Sequence, residues 1–175
     1  ALPIFTDTLT KVFAEEVPDG QGSIRLSTLH RETVSCVIAY FGAADWGRYW
    51  KVSVKAPEKI ETRLRRVELV PSAYPCHKEQ DDNYLRIVPG MYPDLLRDLD
   101  TEGDGADKKY LTKEVPGQWR SLWLDVTVDA ELAGGDYAIM IETETEDGEK
   151  ETLKADLHVV DASLPPQKLL HTEWF

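Results

Sequence analysis

The chain has 175 residues with 20 Lys and Arg against 32 Asp and Glu, a net charge of −12, so nucleic acid and anionic membrane surfaces meet mostly repulsion and are not expected partners. Its 42% hydrophobic and 30% charged content is that of a single globular domain. No apolar run approaches the roughly 18 residues of a spanning helix, the first residues lack a secretory signal, and two cysteines are too few for a disulfide scaffold.

Along the chain the recurring signal is alternation. Ile24 and Leu26, then Val34, Cys36, Ile38 and Tyr40, then Trp50, Val52 and Val54 fall on every second residue among β-branched and aromatic neighbours, which predicts strands. In the second half Leu122, Leu124, Val126 and Val128 alternate with polar residues, as do Tyr137, Ile139 and Ile141, and then Leu153, Ala155, Leu157 and Val159. Ala133-Gly134-Gly135-Asp136 and Glu146-Asp147-Gly148-Glu149 read as hairpin connections between these three strands. Ser72 to Gly117, with Pro75, Pro89, Pro93, Pro116 and the acidic run Asp98 to Asp107, reads as long loops, within which Tyr92 to Asp100 has the spacing of a short helix. No segment suits a βαβ crossover, so the expected fold is all-β: a two-sheet antiparallel β-sandwich, immunoglobulin- or fibronectin-like, with long Pro-rich loops. The sandwich is expected over residues 1–162, with 163–175 a linker, because Leu164-Pro165-Pro166 cannot continue a ladder and Trp174-Phe175 carries no stop signal.

Candidate chemistry is sparse. Asp100, Glu102, Asp104 and Gly105 imitate the opening of a calcium loop, but Leu111 stands where the bidentate carboxylate is needed, so a solvated acidic loop is the simpler reading. His30, His77, His158 and His171 lack ligand spacing, and Cys76-His77 would need two more ligands for zinc. Cys36 falls on a core face and Cys76 in a loop; the sequence leaves their pairing open. No nucleophile elbow, phosphate-cradling loop or catalytic carboxylate pair stands out, so no catalytic residue, metal or cofactor is assigned. Arg31-Glu32, at a strand entrance, reads as an edge-blunting or salt-bridged pair.

The aromatic residues are more informative. Trp119 and Trp123 lie opposite Leu122, Leu124 and Val126, which turns them away from the core, where they would stack on sugar rings or be covered by the long loops or a neighbouring domain. Trp50 belongs to the core and Trp46 to a turn. Tyr92-Pro93-Asp94 holds a loop in one shape, so that Tyr92 and Asp94 either face a neighbouring active site or pack on their own sandwich.

Several phrases in order then resemble one family: Leu9-Thr10-Lys11-Val12-Phe13, Leu29-His30-Arg31-Glu32-Thr33-Val34-Ser35, Pro89-Gly90-Met91-Tyr92-Pro93-Asp94-Leu95-Leu96, Trp119-Arg120-Ser121-Leu122-Trp123-Leu124-Asp125-Val126, Gly135-Asp136-Tyr137, and Leu164-Pro165-Pro166-Gln167 with Glu173-Trp174-Phe175. Together they look like the N-terminal region of glycoside hydrolase family 123, which includes N-acetyl-β-galactosaminidases and many bacterial relatives. Cys36 replaces a usual glutamine, and Leu95-Leu96-Arg97-Asp98 lacks further prolines of that pattern. The resemblance implies a β-sandwich followed by a (β/α)8 barrel whose adjacent Asp-Glu pair works with the substrate's own acetamido group. That pair maps onto no residue here. The implied role is a non-catalytic accessory domain of a glycoside hydrolase acting on N-acetylhexosamine-containing glycans. Its partner is a C-terminal barrel of the same polypeptide, and Tyr92, Asp94, Trp119, Trp123, Trp174 and Phe175 are the candidate interdomain or glycan contacts. The compartment, bacterial cytoplasm or exterior, is left open. The rival readings are a free-standing carbohydrate-binding module using Trp119 and Trp123, and an adhesin-type interaction domain.

Overall fold

A computed structural model describes residues 2–77, 83–166 and 168–170. The strands are β1 (Ile4–Thr6), β2 (Ser23–His30), β3 (Thr33–Phe41), β4 (Tyr49–Lys55), β5 (Ile60–Ser72), β6 (Gly90–Asp98), β7 (Asp100–Glu102), β8 (Lys109–Lys113), β9 (Trp119–Val128), β10 (Gly135–Thr145) and β11 (Lys150–Ser163). One sheet has the order β1-β3-β9-β5-β6 and the other β2-β11-β10-β4-β8-β7. The expected all-β sandwich is therefore what forms.

The core is built from the alternating positions. Cys36, Ile38 and Tyr40 of β3, Leu122, Leu124 and Val126 of β9, Trp50 and Val52 of β4, Ile139 and Ile141 of β10, and Leu153, Ala155, Leu157 and Val159 of β11 join one buried cluster between the sheets. Each large apolar side chain removed from water there contributes about 1.5–3 kcal/mol. Cys36 is fully buried, and burial pushes its thiol up to about 12. Cys36 and Cys76 are both free.

Four expectations need correction. Tyr92 to Asp100 is not a helix: β6 pairs antiparallel with β5 from Ser72↔Gly90 to Arg65↔Asp98, with a bulge at Glu68/Leu69. The stretch from Ser72 to Gly117 accordingly contributes three strands, β6, β7 and β8, instead of loops alone. Strands β9 and β10 do not form a hairpin, because β9 pairs with β3 and β5 while β10 pairs with β4 and β11, so Ala133 to Asp136 carries the chain from one sheet to the other. The second sheet is mixed, since β2 pairs parallel with β11, from Ser23↔Lys154 to Val160↔Leu29.

The β10–β11 hairpin does form over Glu146 to Glu149: Gly148 takes φ 88, and its N–H donates to the Thr145 carbonyl at 2.9 Å. Strand β11 runs to Ser163, and the Leu164 N–H reaches the His30 carbonyl at 3.0 Å, so the sandwich extends slightly beyond residue 162.

Candidate functional site: a strapped outer face and two ends

The tryptophans of β9 do turn away from the core, as the alternation requires, but the N-terminal segment lies over them. Trp119 is only 8% exposed and packs in a second cluster with Val12, Val37 and Ala39, joined by Ile4, Phe41 and Trp123. Its backbone N–H donates to the Ala14 carbonyl at 2.8 Å, and its ring lies 5.5 Å from that of Phe41. The cover is thus the strap over residues 7–16 and not the Pro-rich loops, because Val12 offers an apolar side chain at the point where β3 and β9 expose theirs.

The strap is fastened to β6 by residues that the sequence singles out for other reasons. Lys11 Nζ donates to Asp94 Oδ1 at 2.7 Å and to the Pro93 carbonyl at 3.3 Å. Phe13 meets Tyr92 edge-on at 5.8 Å, and the Arg86 guanidinium sits 3.5 Å above the Phe13 ring. Arg86 also binds Glu15, at 2.5 Å, and Glu16. The Tyr92 hydroxyl donates to the Val88 carbonyl at 2.5 Å. Tyr92 and Asp94 therefore lie on an edge strand, not at the tip of a free loop. Asp94 and Trp123 share a cavity of about 260 Å³ with Thr10, Lys11 and Ser121. Trp174 and Phe175 lie outside the described residues.

On the same face Asp125 gathers a polar cluster. It accepts from Ser35 Oγ at 2.6 Å, Trp123 Nε1 at 2.7 Å and Arg65 Nη2 at 2.5 Å. Partial burial would raise its pKa, yet these three donors outweigh that and hold the carboxyl below its ordinary value.

Two ends of the sandwich differ in chemistry. At the end where β11 leaves, Arg31 (φ 64) and Lys59 (φ 71) adopt left-handed backbone conformations although neither is glycine. Each is held by a neighbouring strand: Arg31 N–H donates to the Val128 carbonyl and Asp129 N–H to the Lys59 carbonyl, both at 2.9 Å. They line an open cleft of about 620 Å³ with Glu61 and Asp129. Arg31-Glu32 is thus a turn and not an edge guard, and Glu32 Oε2 accepts the Leu29 N–H at 2.8 Å.

The opposite end holds a buried ion cluster that sequence reasoning missed. Glu114, 1% exposed, accepts from Arg48 Nε at 3.0 Å, Trp50 Nε1 at 2.9 Å and the Ala44 N–H at 3.2 Å. Arg48 also binds Asp147 and Glu149, each at 2.9 Å. Nothing in the local pattern marks one glutamate among so many acids; only the approach of β4, β8 and the β10–β11 hairpin isolates it. Among the described residues no group of three or more His, Cys, Asp or Glu side chains could hold a metal ion. The acidic run divides between the end of β6, β7 and a short 3-10 turn at Gly105–Asp107.

No protein-family model and no curated protein matches the chain. Among solved structures, a family 123 glycoside hydrolase from Clostridium perfringens is similar over 94% of this chain and 28% of its own, with a TM-score of 0.68 and 9% identity. The chain thus spans well under a third of that enzyme. Weaker matches are the collagen-binding subdomain of the Enterococcus faecalis surface protein ACE (5% identity, 78% of this chain and 93% of that one, TM-score 0.45) and the major pilin subunit BcpA of Bacillus cereus (8% identity, 91% and 40%, TM-score 0.40). At such identities the likeness is one of fold. The chain is an immunoglobulin-like β-sandwich, a fold also found as one part of a family 123 hydrolase.

Proposed function

We propose that the chain is a non-catalytic accessory domain of a glycoside hydrolase acting on N-acetylhexosamine-containing glycans, and that it packs against and supports a following (β/α)8 barrel. The carrying observation is the fold agreement over 94% of the chain with a 28% portion of the Clostridium perfringens enzyme. The ordered phrases from Leu9 to Phe175 add support at the level of sequence. The residues after Leu164 then serve as the linker, with Trp174 and Phe175 as apolar docking groups. Because β11 leaves beside Arg31, Lys59 and Asp129, this end of the sandwich is the surface that the barrel meets first. A free-standing sugar-binding module using Trp119 and Trp123 is less well supported, because Trp119 is buried beneath the strap and Trp123 packs partly against the same cluster, so the two present no paired open platform for stacking.

The test is to read the gene past the codon for Phe175 and to titrate the isolated chain with N-acetylhexosamine-containing glycans, following Trp fluorescence. The expected result is an open frame of roughly 250 further residues or more, as a barrel needs, and no saturable fluorescence change. A stop directly after Phe175, or saturable quenching by a glycan, overturns the accessory reading.

A further inference from the structure

At the end opposite the linker, the space between the two sheets opens into a cavity of about 430 Å³ lined by Tyr40, Arg66, Glu68, Lys113, Glu114 and Arg120 among others. The register explains why cations collect there. Arg120 opposes Tyr40 and Arg66 opposes Leu122, so both arginines continue the inward-facing rows that deeper in the sandwich carry Leu122, Leu124 and Leu64. Positions that patterning would fill with apolar side chains at the mouth of a core are instead guanidinium groups.

Their partners are unevenly shared. Arg66 is occupied by Glu68, with Nε donating to Oε1 at 2.7 Å. Glu114 is occupied by Arg48, Trp50 and the Ala44 N–H. Lys113 lies 5.2 Å from the centre of the Tyr49 ring and forms no salt bridge among the described residues. Arg120 has none either: Nη2 donates to Gln118 Oε1 at 2.8 Å, leaving most of the five guanidinium donors unspent. On its other flank Arg120 borders a cleft containing Glu15 and Glu16, but both are bound by Arg86. Burial, the largest influence, pulls Arg120 below its ordinary value; the charges of Tyr40 and Glu68 oppose that pull, and the charge of Arg66 adds a smaller one in the same direction. In a chain of net charge −12, a half-buried guanidinium beside a second one, whose nearby acids Glu68 and Glu114 are bound by other cations, is an unusual placement.

We infer that this cavity is an oxyanion-binding site, in which Arg120, assisted by Arg66 and Lys113, takes a carboxylate or sulfate group carried by a small molecule or glycan. Guanidinium donors in a fork match the two oxygens of either group, and partial exclusion of water strengthens the contact. The site is independent of the accessory-domain reading, since it needs no barrel and lies at the far end of the sandwich from the linker.

The test is a nitrogen-15 NMR titration of the 175-residue chain at low ionic strength with inorganic sulfate, acetate and glucuronate as separate arms, on wild type, Arg120→Gln and Arg120→Lys. The expected result is saturable shifts confined to residues around Arg120, Arg66 and Lys113, at least tenfold weaker binding in Arg120→Gln, and partial retention in Arg120→Lys. Glucuronate binding more tightly than acetate identifies a sugar-borne carboxylate, and equal affinity identifies the bare oxyanion; both support the site. Because Arg120 makes no direct carboxylate contact and its removal relieves the burial of a charge, Arg120→Gln is expected to melt near the wild-type temperature, so lost binding does not reflect unfolding. Absence of saturation in all three arms, or identical shifts in Arg120→Gln, overturns the proposal.

Discussion

Glu114 shows how strongly one side chain can depend on its surroundings. Its carboxylate is nearly inaccessible and neutralised by Arg48, and the pair is tied to the core through Trp50. Glu114 is also the largest influence raising the pKa of Arg48, so the guanidinium stays charged across the accessible pH range. Burying such a pair costs desolvation that its attraction only roughly offsets, but removing one partner strands the other charge. Arg48→Met, which strands the buried Glu114, is therefore expected to lose about 3–5 kcal/mol, whereas Arg48→Met combined with Glu114→Leu recovers most of the loss. Urea unfolding of the two variants checks this, and near-equal midpoints for them would show that the charges are not coupled.

At the scale of elements, the strap over residues 7–16 determines what the outer face of the first sheet can do. Phe13 fastens it by contact with Tyr92 and Arg86, while Lys11 and Asp94 form an ion pair whose side chains remain 42% and 54% exposed. The apolar fastening should dominate, since exposed ion pairs contribute little. Phe13→Ala is expected to cost about 3 kcal/mol and to red-shift the Trp emission as Trp119 becomes wet, while Lys11→Ala changes stability by less than about 1 kcal/mol. Fluorescence-monitored denaturation distinguishes the two. Strand β6 teaches a related lesson. Leu95, Leu96 and Leu99 have the spacing of a helical turn, yet the segment is an edge strand whose Pro93 tolerates the ladder because a bulge lies beside it. Strand β5 escaped the sequence reading because Arg63, Arg65, Arg66 and Glu68 interrupt its apolar rhythm. Its place beside β9 nonetheless buries Leu64 and gives Arg63 the Asp98 carboxylate and Arg65 that of Asp125.

For the whole molecule, the distribution of carboxylates sets the response to acid. Asp7, Glu15, Asp125 and Asp147 all have pKa values lowered from ordinary values of 3.8 for Asp and 4.5 for Glu. A carboxyl with a depressed folded-state pKa contributes stability that is fully present above the unfolded value and disappears as pH falls through the folded one. Unfolding stability should therefore vary little down to about pH 5 and fall steeply below about pH 4. Asp125→Asn should have a shallower acid limb, because Ser35, Trp123 and Arg65 then no longer distinguish the charged from the neutral carboxyl. Chemical denaturation over pH 2–7 reads both; a wild-type limb no steeper than that of Asp125→Asn would remove Asp125 from the account.

The sequence by itself determined the fold class, because period-two burial in β2, β3, β4, β9, β10 and β11 is written into residues such as Ile38, Leu124 and Leu157 and admits no other efficient core. It also placed Trp119 and Trp123 on the far side of β9, since side chains alternate whatever the strand pairs with. Only the tertiary structure decided that β9 and β10 part to different sheets, that β2 lies parallel to β11, that the N-terminal strap covers Trp119, and that Glu114 and Arg120 stand out from the other charges. The physical reason is range. Alternation and turn chemistry act over a few residues, whereas strand partners, the cover over a sheet face and the isolation of a charge depend on segments brought together from distant parts of the chain.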